Sequence, residues 1–308
     1  MGDMQPAAFT LRQIAYFTVA AETCSTTAAA SHFVMTQSAM SAALTDLERA
    51  LGTQLFVRHR GRGLELTATA RSLLPEARRL LQGAEDFQGL ATNLDDVLAG
   101  RLSIGCFDAL SPALLPPLIA EISRLHAGLT VEPLSGKQGE LAAAVTDGSI
   151  ELALLFDVDL PRTVEAEFLY QPKPHALVSM DHPLASESTI SIDDLAADRL
   201  ISLNTPPAPR ILREALRAAG FSLVPAYELE NYDLIRALVH RNLGYSLFLQ
   251  PLGAFPAHWS PTVRAIPLSD QLSTPAVVLV RARGARLTRR AKAFRDLCIG
   301  GFLQSAIA

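Results

Sequence analysis

Two helix starts lie close together near the N-terminus, with an arginine-rich turn soon after, and few folds accommodate that order. Ser25-Thr26-Thr27-Ala28-Ala29-Ala30-Ser31 reads as a short helix capped by Ser25, whose oxygen can accept from an early backbone N–H. His32 to Met35 reads as a tight apolar turn, and Thr36 offers a second N-cap for a helix running from Gln37 to Leu51. Met40, Leu44, Leu47 and Leu51 recur in steps of four, three and four, so they share one face. Gly52 is placed to end that helix in a left-handed conformation. The opposite face carries Gln37, Ser38, Ser41, Ala42 and Thr45. Two short capped helices around a tight turn suit a helix-turn-helix, whose second helix enters the DNA major groove N-terminus first. Gln can pair bidentately with adenine there, and Ser or Thr can touch several base edges. An ordinary helical hairpin with solvated polar residues fits the same spacing.

The next segment separates the two. Leu55 to Thr67 reads strand, Gly-rich turn, strand, with Arg58, His59, Arg60 and Arg62 in the turn and no acid among them. Residues 1–66 hold five arginines, and three of them fall here. A hairpin beside a helix-turn-helix is a wing, and arginines at its tip can neutralise phosphates or probe a minor groove. The DNA-contacting candidates are therefore Thr36, Gln37, Ser38, Ser41, Thr45, Arg58, Arg60 and Arg62.

Thr67 reads as the N-cap of one long helix extending to residue 98. Leu73, Ala77, Leu80, Ala84, Phe87, Ala91, Leu94 and Leu98 alternate in steps of four and three, the repeat of a helix that pairs with a second helix. Arg78-Arg79, Glu85-Asp86 and Asp95-Asp96 charge its other faces, while Pro75 should kink its first turns. The same stripe can instead pack on the chain's own α/β half.

At 308 residues the chain has room for two or more domains. From Arg101 strands and helices alternate, with Leu102–Cys106, Leu129–Leu134 and Glu151–Phe156 as strands and Pro112–His126 and Glu140–Thr146 as helices. That alternation predicts α/β layers around mostly parallel sheets. It carries 27 Lys+Arg against 31 Asp+Glu, a net charge of −4, which excludes an overall basic coat but not a local basic patch. Three cysteines, at 24, 106 and 298, make neither a disulfide framework nor a zinc cluster, and they fit a reducing compartment. No secretory signal pattern and no apolar stretch of membrane-spanning length is seen, so a cytoplasmic location and no membrane partner are expected. The seven histidines form no metal-spaced pair, no cofactor is expected, and GxGxxG, P-loop and GxSxG patterns are absent, which argues against an enzyme.

The run from Phe9 to Leu81 resembles the DNA-binding end of LysR-type transcriptional regulators. The resemblance rests on Leu11-Arg12-Gln13-Ile14-Ala15-Tyr16-Phe17, Ala28-Ala29 and Thr36-Gln37-Ser38-Ala39-Met40-Ser41. It continues through Leu47-Glu48-Arg49-Ala50-Leu51-Gly52, Leu55-Phe56-Val57-Arg58 and Leu66-Thr67. Ala42, Ala43 and Thr45 depart from the basic or amide residues usual in that family, and Ala70 from its frequent Gly. The resemblance implies an N-terminal winged helix-turn-helix over residues 8–66 and a dimerisation helix over 67–99. It further implies a two-lobed α/β effector domain over 100–308, of the periplasmic-binding-protein-like kind. One lobe would span about 101–164 and 270–308, the other about 165–269. Thr36 to Leu47 corresponds to the recognition helix and His59 to Gly63 to the wing. The implied partners are double-stranded DNA at an interrupted palindromic operator, a second copy in a homodimer or homotetramer, a small-molecule effector between the lobes, and RNA polymerase. A solute-binding protein without DNA binding is the alternative, and it leaves residues 1–98 without a role.

Open α/β sheets bind ligands beyond the carboxyl ends of their strands. That rule selects Leu110, Ser111, Gln138 and Phe156 in one lobe, and Asn204, Thr205, Tyr232 and Tyr245 in the other. Ser111-Pro112 is expected to cap a helix whose free N–H groups could hold an anion. Cys106 reads as a small buried hydrophobe, with a redox thiol as the alternative. A small metabolite held by helix termini, amides and hydroxyls is the resulting expectation.

Overall fold

Helix α1 (Leu11–Thr23) opens on a capping box between Thr10 and Gln13, and α2 (Thr26–His32) on the Ser25 side chain. Helix α3 (Gln37–Leu51) follows, ended by Gly52 at φ +66°. The computed structural model describes residues 7–59, 63–92, 98–249 and 262–303. Strands β1 (Phe56–His59) and β2 (Gly63–Leu66) pair antiparallel, Phe56 opposite Leu66 and His59 opposite Gly63. Ile14, Phe17, Met40, Leu44, Leu47 and Leu55 are buried together as the core of this head.

Helix α4 (Ala68–Thr92) is capped by Thr67, whose Oγ1 accepts from Ala70 N at 3.1 Å, and it runs through Pro75 as one helix. The expected pairing stripe divides along its length. Ala77 is buried in the head core and Leu73 packs against it, while Leu98 packs on the following domain. Only Leu80, 48% exposed, and Phe87, 73% exposed, stand out as large apolar side chains facing solvent on the described part. The stripe's ends are used up inside the chain because α4 is also the last wall of the head. Leu94 lies outside the described residues. Arg78, with its side chain 12% exposed, donates to Glu22 Oε1 of α1 at 3.0 Å and to Asp147 Oδ1 at 2.9 Å. It therefore ties the head to the domain that follows.

That domain begins with β3 (Ala99–Phe107), α5 (Ser111–Leu125), β4 (Gly128–Gly136), α6 (Gln138–Thr146), β5 (Leu152–Phe156) and β6 (Val164–Tyr170). The chain then crosses to a second lobe of β7 (His175–Ser179), β8 (Ile201–Leu203), α7 (Ala208–Ala218), β9 (Tyr227–Leu229), α8 (Tyr232–His240), β10 (Ser246–Phe248) and β11 (Val263–Pro267). It returns as β12 (Val277–Ala282) and closes with α9 (Arg289–Ile299). The first sheet has the order β4-β3-β5-β12-β6. β3 is parallel to β4 and β5, but β12 runs antiparallel to both β5 and β6. In the second lobe β7 is antiparallel to β10 and β11, and β8 is parallel to β9.

The expected mostly parallel sheets are thus mixed. The returning strand β12 enters the first sheet from the end opposite to β5 and β6 and so runs against both. The expected crossing near residue 164 falls later, because β6 pairs with β12 in the first sheet up to Tyr170. The two crossings are stitched together: Thr274 Oγ1 donates to Pro172 O at 3.0 Å and accepts from Gln171 Nε2 at 2.9 Å.

Candidate nucleic-acid interface and effector cleft

The head presents α3 rigidly. Met40, Leu44 and Leu47 are buried under it, and Thr36 Oγ1 caps it by accepting from Ala39 N at 3.2 Å. The turn before it is closed by Met35 N donating to Ala30 O at 3.0 Å, and Tyr16 packs edge-on against Phe33. This leaves Thr36, Gln37, Ser38 and Thr45 exposed and Ser41 half-buried, all on the N-terminal two-thirds of the helix. The side chains are already ordered by short-range bonds. Gln37 Nε2 donates to Thr26 Oγ1 at 3.3 Å, Thr36 and Ser38 hydroxyls lie 3.1 Å apart, and Thr45 Oγ1 donates to Ser41 O at 3.0 Å.

The wing is docked by two contacts that the spacing of residues did not reveal. Glu48 Oε1 accepts from Leu55 N at 2.8 Å and Phe56 N at 3.1 Å, so the far end of α3 holds the first wing strand. Its sequence signal was an acid on a helix just ahead of a strand, which is too common to single out. On the other side Leu64 N donates to Cys24 O at 2.8 Å. Arg58 sits in β1 opposite Leu64; Arg60 and Arg62 lie outside the described residues.

Gly63, at φ +84°, makes the second contact possible, since a Cβ there would lie 2.6 Å from Cys24 O. Gly63→Ala is therefore expected to destabilise the head by about 2 kcal/mol or more and to weaken DNA binding by detaching the wing. Thermal melting and DNA titration check this; a variant matching the parent in both would show that the Cys24 contact does not dock the wing.

Between the lobes lies a narrow apolar slot. Phe107, Ala109 and Phe156 come from the first lobe, and Leu203, Ala208, Ile211, Tyr232 and Phe248 are among the residues facing them from the second. Tyr232 stacks on Phe248 with centroids 5.5 Å apart, and Phe107 meets Phe156 edge-on at 5.9 Å. Burial pushes the Tyr232 phenol well above its usual range.

The eight expected effector residues distribute unevenly around this slot. Phe156 and Tyr232 line it. Leu110 is buried in the first lobe's core and Tyr245 in the second lobe's, both away from the slot wall. Gln138 is buried and occupied: its Oε1 accepts from Phe156 N at 3.1 Å and its Nε2 donates to Val158 O at 2.5 Å. Ser111 does not cap α5; Leu110 takes that position, and the serine turns back to within 3.1 Å of Cys106 O and 2.7 Å of Ser135 Oγ. Ser135 in turn donates to Asp108 Oδ1 at 2.6 Å. Asn204 and Thr205 stand at the end of β8, bonded to the backbone of Leu229 and Glu230.

The wall is apolar where a set of amides and hydroxyls was expected, because the polar groups at these strand ends are spent holding the strand ends together. Ile211 and Phe248 were missed because an apolar wall residue looks like a core residue in sequence. Burial pushes the Cys106 thiol up to about 12, so the thiolate a redox sensor needs is disfavoured. Among the described residues no group of three or more His, Cys, Asp or Glu is arranged to hold a metal ion, and no helix is long and apolar enough to cross a membrane.

A helix-turn-helix with a docked wing, a long helix and a two-lobed α/β domain with an interlobe slot together define a DNA-binding regulator with an effector domain. Comparison agrees. The bacterial regulatory helix-turn-helix protein, lysR family, matches residues 11–71, and the LysR substrate binding domain matches residues 95–302. The uncharacterized HTH-type transcriptional regulator YvbU of Bacillus subtilis (strain 168) is 30% identical over 240 residues, 77% of this chain and 80% of that one. The crystal structure of HinK, a LysR family transcriptional regulator from Pseudomonas aeruginosa, is similar with TM-score 0.60 and 30% identity, over 95% of this chain and 98% of that one. Full-length CbnR, solved in complex with its target DNA, shares the fold with TM-score 0.63 over 95% and 99% of the two chains at 19% identity. The chain belongs to the LysR family of transcriptional regulators.

Proposed function

We propose that this chain is a cytoplasmic regulator that binds an interrupted palindromic operator as a dimer or tetramer and answers to a small molecule held in the interlobe slot. No catalytic step is assigned to it. The observation that carries the reading is the exposed polar start of α3, held rigid by its cap and its buried face beside a docked wing. Gln37 reads a base edge in the major groove, with Ser38, Ser41 and Thr45 beside it, and Arg58, Arg60 and Arg62 meet phosphate. Exposed Leu80 and Phe87 on α4 support self-association through that helix. A dimer sets two recognition helices about one DNA turn apart, which is why the operator is two-fold symmetric.

Quantitative DNA titration of the full chain tests the assignment. Gln37→Ala is expected to relax preference at one base pair per half-site by about 1–3 kcal/mol. Arg60→Ala is expected to weaken all sequences alike and to flatten a salt slope of roughly −5 for six wing arginines. An unchanged base preference in the first variant moves the reading role off Gln37, and an effect of the second confined to one base position removes the wing from the phosphates.

A further inference from the structure

The slot between the lobes has a chemistry that narrows its ligand, and an ion pair joins the two lobes beside it. Its walls are aliphatic and aromatic on both sides, with Phe107 and Phe156 facing Tyr232 and Phe248. Of the expected polar groups in the first lobe, the Gln138 amide and the Ser111 hydroxyl are engaged with their own lobe; the Tyr232 phenol is a hydroxyl that the wall itself carries. Charges of both signs lie around the slot: Asp108 and Asp157, adjoining the two phenylalanines in sequence, are exposed carboxylates. Asp159 follows in the same loop, and Asp233 lies beside Tyr232. Against these stand Lys137 at the start of α6, the nearly buried Arg236 one turn on from Tyr232 and paired with Asp233, and Arg210, which is already held by two carboxylates. It belongs to α7, the helix that contributes Ala208 and Ile211 to the slot, and it pairs with Glu214 one turn on. Its other partner is Asp159 of the opposite lobe.

Burying a carboxylate or an ammonium among these apolar walls would carry a desolvation cost that a neutral ring avoids. The cavity volume of the slot is about 40 Å³, well short of the roughly 150 Å³ apolar cavity that holds a benzene ring. A ring therefore enters only when the lobes part, and parting them draws Arg210 away from Asp159.

Resting on the reading of this slot as the effector site, we infer that the effector is a small uncharged aromatic molecule that wedges the lobes apart, and that the Arg210–Asp159 pair is the latch it opens. The latch gives the ligand differential affinity for two lobe arrangements, which is what any ligand needs to shift an equilibrium between them. Because the pair is exposed to water, it sets a modest barrier, worth less than about fivefold in affinity.

Titration calorimetry of the full-length protein with indole, benzoate and benzylamine as probes tests this. Indole is expected to bind at least about tenfold more tightly than either charged probe. Ala208→Phe, which fills the slot from a half-buried position at the start of α7, is expected to abolish indole binding without unfolding the protein. Asp159→Asn is expected to tighten indole binding by up to about fivefold. Benzoate or benzylamine binding more tightly than indole, and lost in Ala208→Phe, leaves the slot as the effector site but overturns the assigned class. No binding by any probe, or binding that survives Ala208→Phe, overturns both. Indole affinity unchanged or weakened by Asp159→Asn removes the latch.

Discussion

Gly244→Ala is expected to cost the second lobe about 3 kcal/mol or more. Gly244 has φ +152°, and a Cβ on it would lie 2.2 Å from the carbonyl oxygen of Arg199, inside any permitted contact. The obstacle is backbone, so no side chain can swing away to relieve it. That carbonyl also accepts from Tyr245 N at 2.9 Å, and Tyr245 O accepts from Ile201 N at 2.8 Å. These bonds, with the Leu200–Tyr245 bridge, join the β8–β9 pair to the β10-β7-β11 sheet. The side chains of Tyr245 and Leu247 continue the join into the lobe's core. Chemical denaturation followed in the second lobe should show a lowered midpoint, while the head, whose core is separate, keeps its DNA affinity. An unchanged midpoint would mean that the two sheet segments do not depend on this approach.

Acid should destabilise the same lobe through His175. This residue opens β7 and is fully buried beside Phe248, and burial holds its imidazole down to about 4. The unfolded chain takes up that proton near the ordinary value of about 6.5. Between those two pH values the unfolded state binds more protons than the folded one, so stability falls as the pH is lowered. It is complete above about pH 6.5 and declines by about 1.4 kcal/mol per unit towards pH 4, roughly 3 kcal/mol in all. Carboxylates such as Glu167 and Asp194, held below their usual range by Arg295 and by Ser191, act at the lower end of that window and below it. Comparing the parent with His175→Gln across pH 4–7 isolates the histidine. Equal slopes for the two proteins would show that His175 does not control the acid response.

Both predictions concern positions that reading the chain did not mark. In sequence Gly244 is only the neighbour of the expected effector residue Tyr245, and His175 only one of seven histidines without a metal partner. Neither the close approach of Arg199 nor the burial of an imidazole is a local property. The local features fared differently. The caps Ser25, Thr36 and Thr67, the span Gln37–Leu51 and its Gly52 stop all match, because a cap or a 3.6-residue period is decided within one turn of helix. Glu48 shows where that reach ends: its carboxylate organises Leu55 and Phe56 across a loop, so its importance depends on where the loop goes.

The order of residues by itself determined the elements, the face α3 buries and the polar face it shows, because those follow from backbone propensity and periodic burial over a few neighbours. Only the tertiary structure decided that Leu73 and Ala77 belong to the head, that β12 runs against β5, and that the interlobe slot is walled by aromatic rings and flanked by the pair of Arg210 and Asp159. Each of those is a contact between segments far apart in the chain. An apolar side chain has the same composition whether it fills a core or lines a cleft, and only packing tells the two apart.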